Sequence, residues 1–326
     1  MEEPTSPLGF SSTLLPSSTC FTKPPPSPLP RAQVPALDTI LGQEYHVLNH
    51  GFIRVIDYMD NDQAIVQAAR VSYGSGTKHT SEDQNLINYL MAHRHTSPFE
   101  MCEIKLHVKM PIFVARQWIR HRTASLNEYS GRYSVMKEEF YIPEPEQVRA
   151  QSMVNKQGRD HFLDHDVVNQ FIDNCQHDTK QLYDHYLDSL HEGQTMDEGV
   201  KIGGVTRDHV NVGGVAREVA RINLPLSMYT EMYWKIDLHN LLHFLSLRCD
   251  SHAQYEIRVY ADYILSLVKL WVPMVHQAFL EYRLNAITVS KSGVEVIRKL
   301  LRHESITQPE SGMGKREWTE LMNNFL

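Results

Sequence analysis

The chain has little of what marks several protein classes. Cysteine is scarce: Cys20, Cys102, Cys175 and Cys249 are the four in 326 residues. They are widely separated and form no Cys-x-x-Cys pair, which argues against a disulfide scaffold or a zinc knuckle and fits a reducing compartment. No stretch approaches the roughly 20 consecutive apolar residues of a membrane-spanning helix. No basic segment followed by an apolar run opens the chain, as it would in a secretory leader. Positive charge is not in excess, the formal net charge being -7. A surface built mainly to neutralise a nucleic-acid backbone with Lys and Arg is therefore not indicated, and any phosphate site has to be local. No Gly-x-Gly-x-x-Gly run follows a strand pattern, so a Rossmann dinucleotide domain is not indicated either. These absences leave a cytoplasmic globular protein with no membrane partner as the expectation.

What is present supports one large domain. With 42% hydrophobic and 22% charged residues the chain can bury a full core. Residues 1–35 hold nine of the sixteen prolines and ten Ser or Thr, a composition that cannot pack. Glu2 and Glu3, with only Lys23 and Arg31 for positive charge, make a transit peptide the lesser alternative. We expect a disordered extension over 1–43, a catalytic domain over 44–285, and a short helical appendix (Val294 to Arg302) with a mobile tail over 286–326.

Within the domain, Ile104, Leu106, Val108 and Met110 alternate with Glu103, Lys105, His107 and Lys109, which predicts a strand with Cys102 at a polar or edge position. Met228 to Lys235 predicts another, and Phe52 to Tyr58 a third. Helices are predicted at Gln63 to Val71, from Glu82 to about Arg94 behind a Ser81-x-x-Gln84 capping box, at Ile112 to about Arg122, and from about Arg159 to His191. Further helices are expected at Val215 to Asn223, Leu238 to Arg248 and His252 to Leu270. Arg116 and Arg120, one turn apart, are expected to share a helical face.

Chemistry concentrates in Arg120-His121-Arg122-Thr123-Ala124-Ser125-Leu126-Asn127-Glu128-Tyr129-Ser130-Gly131-Arg132-Tyr133. Arg120, Arg122 and Arg132 offer planar donor forks that match phosphate or carboxylate. Ser125, Asn127 and Ser130 add small neutral partners, and Glu128 is the lone acid, able to accept from a sugar hydroxyl or to tie an Arg in place. On composition alone the same run reads equally well as a solvated, capped helix end. His93-x-His95 offers two metal ligands without a third, so no metal site is expected.

The spacing Arg-His-Arg-x-x-Ser-x-Asn-x-x-Ser-x-Arg over residues 120–132 resembles the signature of the flavin-dependent thymidylate synthases at all seven specified positions. Pro111 to Trp118, His95-Thr96-Ser97-Pro98-Phe99-Glu100, Arg217-Glu218-Val219-Ala220-Arg221 and Leu247 to Gln254 resemble further blocks of that family. They stand in its order across about 48–284. The resemblance implies an α+β fold in which a central, mostly antiparallel sheet is flanked by helices and flavin is bound without a Rossmann domain. It implies reductive methylation of dUMP to dTMP with FAD as cofactor and with NADPH and 5,10-methylenetetrahydrofolate as co-substrates, in a homotetramer with active sites at subunit interfaces.

For dUMP it implicates Gln117, Arg120, Glu128, Tyr129, Ser130, Gly131, Arg132, Arg221 and Arg248. For FAD it implicates Ser72, His95, Ser97, Glu100, Arg120, His121, Arg122, Asn127, His239, His243 and His252. Arg248 carries the catalytic expectation, favouring the ionised uracil ring. For Ser130, orientation of dUMP is favoured over a nucleophilic role, because no base adjoins it. Taken alone, Arg248 is equally a cation at a helix C-terminus. The chain departs from the family's pattern at Met101, Asp237 and His243, and in an apparent insertion over 194–213. Two other classes stay open: a nucleic-acid binder stacking bases on Trp118 and Tyr129, and an inactive homologue serving as an oligomeric scaffold.

Overall fold

The computed structural model describes residues 31–71, 83–153, 156–191 and 214–325. Ser72, Ser81 of the capping box and the whole of the apparent insertion over 194–213 lie outside these residues.

The fold begins earlier than expected. Pro35 starts a single helical turn, α1 (Pro35–Asp38), whose Leu37 is fully buried. The Tyr58 hydroxyl accepts from Val34 N at 2.7 Å and donates to Asp38 at 2.6 Å, so the segment is tied to the sheet. Residues 34–43 thus belong to the folded body rather than to a disordered extension, because the prolines thin out where Val34 and Leu37 can reach the core.

Strands β1 (Tyr45–Val47) and β2 (Gly51–Met59) form a hairpin. Gly51 is sterically required, since a Cβ there would stand 2.0 Å from the Tyr260 hydroxyl and 2.5 Å from the Val47 carbonyl. Helices α2 (Asp62–Val71) and α3 (Asp83–Ala92) follow. The alternating segment is β3 (Glu103–Pro111), with Ile104, Leu106, Val108 and Met110 buried. Cys102 is not an edge residue of that strand; it precedes it, fully buried.

Helix α4 (Ile112–Trp118) stops four residues short of Arg122. Trp118 is anchored against Trp234 and Phe244, at ring separations of 5.1 and 4.7 Å. Beyond it the chain turns out to form β4 (Ser125–Glu128), which pairs with the free edge of β7. Arg120 therefore lies beyond the helix and does not share a helical face with Arg116. Strands β5 (Arg149–Gln151) and β6 (Arg159–Phe162) form a separate hairpin, so the long helix α5 (His165–His191) starts later than expected. Helix α6 (Arg217–Ala220) and a tight turn over Arg221–Asn223 lead into β7 (Tyr229–Asp237).

All ladders of the five-stranded sheet, in order β1-β2-β3-β7-β4, are antiparallel. One face packs against α4, α7 (Leu238–Arg248) and α8 (Tyr255–Trp271), around Trp118, Trp234, Phe244, Tyr260 and Trp271. The fold is therefore the expected α+β arrangement. Helix α9 (Pro273–Phe279) is capped by buried Asp62, which accepts from Met274 N and Val275 N at 3.1 Å each. The C-terminal region has more structure than expected. Helices α10 (Lys291–Leu301), α11 (Gln308–Ser311) and α12 (Lys315–Phe325) close over their own small core of Val296, Met313 and Leu321. Among the described residues, no helix is long and apolar enough to cross a membrane.

Candidate active site

The signature run forms an exposed lip on the sheet edge. Its register on β7 sets Ser125 opposite Lys235 and Asn127 opposite Tyr233. Glu128 accepts from the Thr230 hydroxyl at 2.8 Å, so it ties the lip to β7 rather than to an arginine. The Tyr129 hydroxyl donates to the Val135 carbonyl at 2.9 Å and closes the loop on itself. The loop then dips inward at Gly131, where a Cβ would stand 2.8 Å from Met136 Sδ and 3.2 Å from Arg221 Cδ. This contact places Arg221 beside the signature across 90 residues of sequence. Arg132 is exposed and ion-paired with Glu218 at 3.1 Å. Ser130 Oγ accepts from Arg132 N at 3.3 Å, and among the described residues no basic side chain bonds to it. That arrangement suits an orienting hydroxyl, not a nucleophile. Arg120 and Arg122 are exposed.

Behind the lip lies a more buried centre. Asp237 caps α7 through a bond from Asn240 N at 2.9 Å, which accounts for an aspartate at that position. At the helix's other end, half-buried Arg248 donates from Nε to His121 Nε2 at 3.3 Å and from Nη2 to the Gln117 carbonyl at 3.3 Å. Among the described residues Arg248 has no carboxylate within ion-pair distance. Burial lowers its pKa from the usual arginine value. His121 is held neutral: burial, then the charges of Arg248 and His243, bring its pKa down to about 4. An unprotonated Nε2 is what Arg248 needs as an acceptor. The centre is thus a guanidinium with fixed orientation and no counter-anion.

The neighbouring cleft, of about 370 Å³, is lined in part by His95, His239, His243 and Phe99. Three of the histidines named from sequence therefore meet in one cavity, and His121 joins it to the Arg248 centre through a ring contact with His243 at 5.7 Å. Arg94 and Arg283 also line this cleft. Neither was singled out from sequence, because they stand at the ends of different helices and meet only in the fold. Burial first, then the charge of Arg94, lowers the pKa of Arg283, so two cations share one cavity. Exposed Ser97 precedes the short turn Phe99–Met101 and exposed Glu100 lies within it, beside Phe99 of the cleft lining.

His252 is not brought to this cleft. It pairs with Asp250 at 2.9 Å and lines a separate cavity. Trp118 is fully buried and cannot stack on a nucleic-acid base. The thiols of Cys102 and Cys249 are pushed up to about 12, chiefly by burial. Among the described residues no three metal-ligating side chains converge.

Exposed arginines beside a serine suited to orientation, a half-buried guanidinium without an ion-pair partner, and an apolar cleft rimmed by histidines and two arginines mark an α+β nucleotide-handling protein, with no Rossmann phosphate loop among the described residues. Residues 54–274 match the family described as thymidylate synthase complementing protein. The chain is 55% identical over 293 residues to the flavin-dependent thymidylate synthase of Wolbachia pipientis wMel, covering 90% of this chain and 96% of that one. It is 54% identical over 292 residues to that of Gluconobacter oxydans, covering 89% and 90%. Among solved structures, the UMP/dUMP methylase PolB of Streptomyces cacaoi bound with 5-Br dUMP matches with a TM-score of 0.61 at 28% identity, covering 73% of this chain and 98% of that one. The chain belongs to the flavin-dependent thymidylate synthase family.

Proposed function

We propose that the protein is a flavin-dependent thymidylate synthase, converting dUMP to dTMP with 5,10-methylenetetrahydrofolate as carbon donor and NADPH as electron source, in de novo dTMP biosynthesis. The observation that carries this reading is Arg248: a desolvated guanidinium held by His121 and Gln117, without a counter-anion, where the signature lip meets the histidine-lined cleft.

In this reading Arg132, Arg120 and Arg221 hold the nucleotide phosphate. Glu128, Tyr129, Ser130, Gly131 and Gln117 set the sugar and ring in place. Arg248 faces the uracil and favours its ionised form, as a fixed cation in a partly dry site does. A thiolate attack on the ring by Cys102 or Cys249 has no support, since thiols at about 12 stay protonated at neutral pH.

The cleft fits FAD. Its Leu90, Leu242, Phe99 and Phe279 suit a flat ring system, and Arg94 and Arg283 suit a diphosphate. His95, His239 and His243 line it, His121 reaches it through its ring contact with His243, and in this reading Arg122 and Asn127 of the exposed lip and Ser97 and Glu100 beside Phe99 add further contacts. When bound, the flavin supplies the hydride that completes the methyl group.

A second copy completes the site. Tyr133, Ile222 and Leu226 around the lip are exposed by 78, 72 and 58%, an apolar rim unusual beside so many arginines. His252 stands on a different surface from the other three histidines, as expected if FAD spans subunits of a homotetramer. The catalytic unit is the body up to about residue 285, with the C-terminal helices appended. A cytoplasmic location fits the soluble co-substrates and the free thiols of Cys102, Cys175 and Cys249.

The direct test is product formation. With dUMP, methylenetetrahydrofolate, NADPH and FAD, dTMP is expected, and omission of any one should abolish it. Binding of dUMP without dTMP under complete conditions would contradict the reading.

A further inference from the structure

A second cleft, of about 510 Å³, opens between the β5–β6 hairpin and the start of α8. Arg149, Arg159 and Arg258 line it, and no carboxylate does. Their situations differ. Arg159 is fixed in place, with Nη2 on Glu256 Oε2 at 2.7 Å and Nη1 on Gln147 at 3.0 Å. Glu256 lies 2% exposed beneath the cleft floor and also accepts from the Tyr141 hydroxyl at 2.9 Å. Burial works to raise the Glu256 carboxyl, and the bonds from Arg159 and Tyr141 outweigh it. Arg149 and Arg258 instead donate to backbone carbonyls, of Glu146 and Ser251, at 2.8 Å each. Among the described residues neither has a carboxylate within ion-pair distance. Asp250 and Asp262 act on Arg258 only from farther off.

The cleft shares a wall with the Arg248 centre. Gln254 on its rim accepts from Gln117 Nε2 at 2.6 Å, and the Gln117 carbonyl accepts from Arg248 at 3.3 Å. A molecule with its reacting ring beside Arg248 and an anionic end reaching past Gln117 and Gln254 would enter a cavity where two guanidinium forks have no carboxylate within ion-pair distance among the described residues. Such forks match phosphate and carboxylate oxygens in a bidentate way.

We propose that this cleft seats the anionic tail of a co-substrate, a phosphate monoester or a run of carboxylates, while the co-substrate's ring works at Arg248. The inference rests on the methyl-transfer reading, in which NADPH carries the first kind of tail and a polyglutamylated folate the second.

Calorimetry on the full-length, flavin-loaded protein tests it, with 2′,5′-ADP as the phosphate probe and tetrahydrofolate carrying one or four glutamates as the carboxylate probe. The double variant Arg149→Gln, Arg258→Gln keeps a side-chain donor at both positions and leaves Arg159 to compensate Glu256. Loss of charge-assisted bonds should weaken 2′,5′-ADP, or erase the advantage of the longer glutamate tail, by about tenfold or more. The probe that weakens names the tail. Arg149→Lys, Arg258→Lys should recover part of the loss, and dUMP binding serves as the folding control. If the double variant binds both probes as the wild type does, with flavin and dUMP binding intact, this inference fails alone. A wild-type protein that binds neither flavin nor dUMP would instead defeat the methyl-transfer reading.

Discussion

Arg132 and Arg248 both belong to the proposed dUMP site, yet the fold treats them oppositely. Arg132 is 58% exposed on a loop and already paired with Glu218, itself 55% exposed, at 3.1 Å. An exposed pair of this kind is worth about 0–1 kcal/mol, so an incoming phosphate can displace the carboxylate at little cost. Arg248 stands at the end of a helix whose Leu241, Phe244 and Leu245 are core, and it is partly desolvated with no carboxylate partner among the described residues. Its charge is left for the ligand to compensate. The exposed arginines are thus suited to capture and the half-buried one to catalysis, and residue type alone distinguishes neither.

The contrast makes ordered predictions. Arg248→Ala should cost most, about 10²–10³ in kcat, as for loss of one preorganised electrostatic group, while flavin binding survives; steady-state kinetics with a flavin spectrum checks both. Arg248→Lys should rescue little, since an ammonium cannot reproduce the fork that spans His121 and Gln117. Next, Arg132→Gln should raise KM for dUMP by about tenfold or more through the lost charge-assisted bonds, with a smaller effect on kcat. Glu218→Gln should do the reverse and lower KM for dUMP, because it frees Arg132; a raised KM would show that the ion pair positions the arginine rather than occupying it. Gly131→Ala should destabilise the fold by about 1–3 kcal/mol, since its methyl group meets Met136 and Arg221; thermal or denaturant unfolding measures it.

The smallest effect is a pH dependence. The His121 pKa falls from 6.5 to about 4 on folding. Between those values the unfolded chain takes up a proton that the folded chain refuses. Its contribution is therefore fully present above about pH 6.5 and is lost as pH falls toward 4. His121→Asn, which keeps an acceptor for Arg248, should flatten the unfolding free energy across that window; an unchanged slope would mean that His121 is not held neutral.

Much of this was legible in the sequence where local pattern and tertiary demand agree. The alternation of β3 and the apolar residues over Leu238 to Arg248 translate directly into elements, while Asp237, a departure from the family's pattern in sequence, is explained only by the helix it caps. The lip did not, because an arginine-rich run with little strand propensity becomes β4 only where β7 presents an unpaired edge. Phe162 likewise looked like the start of a long helix until Arg149 gave it a cross-strand partner. At the C-terminus the expected helix over Val294 to Arg302 is α10, whereas α11 and α12 escaped because the core they share with it is only a few side chains far apart in sequence. The signature and its companion blocks pointed to His95, His121, His239 and Arg248, which the fold gathers around one cleft and its adjoining centre. Arg94 and Arg283, and the Arg149–Arg258 cleft, were not visible because nothing local marks arginines that come together across such separations.

In the proposed function the protein is a flavin enzyme whose Arg248 centre acts on dUMP. An anaerobic absorption spectrum of the purified protein, followed after adding NADPH with and without dUMP, tests it most directly. Flavin bands that bleach, and bleach faster with dUMP, are the expected result; a colourless protein that cannot be reconstituted with FAD would contradict it.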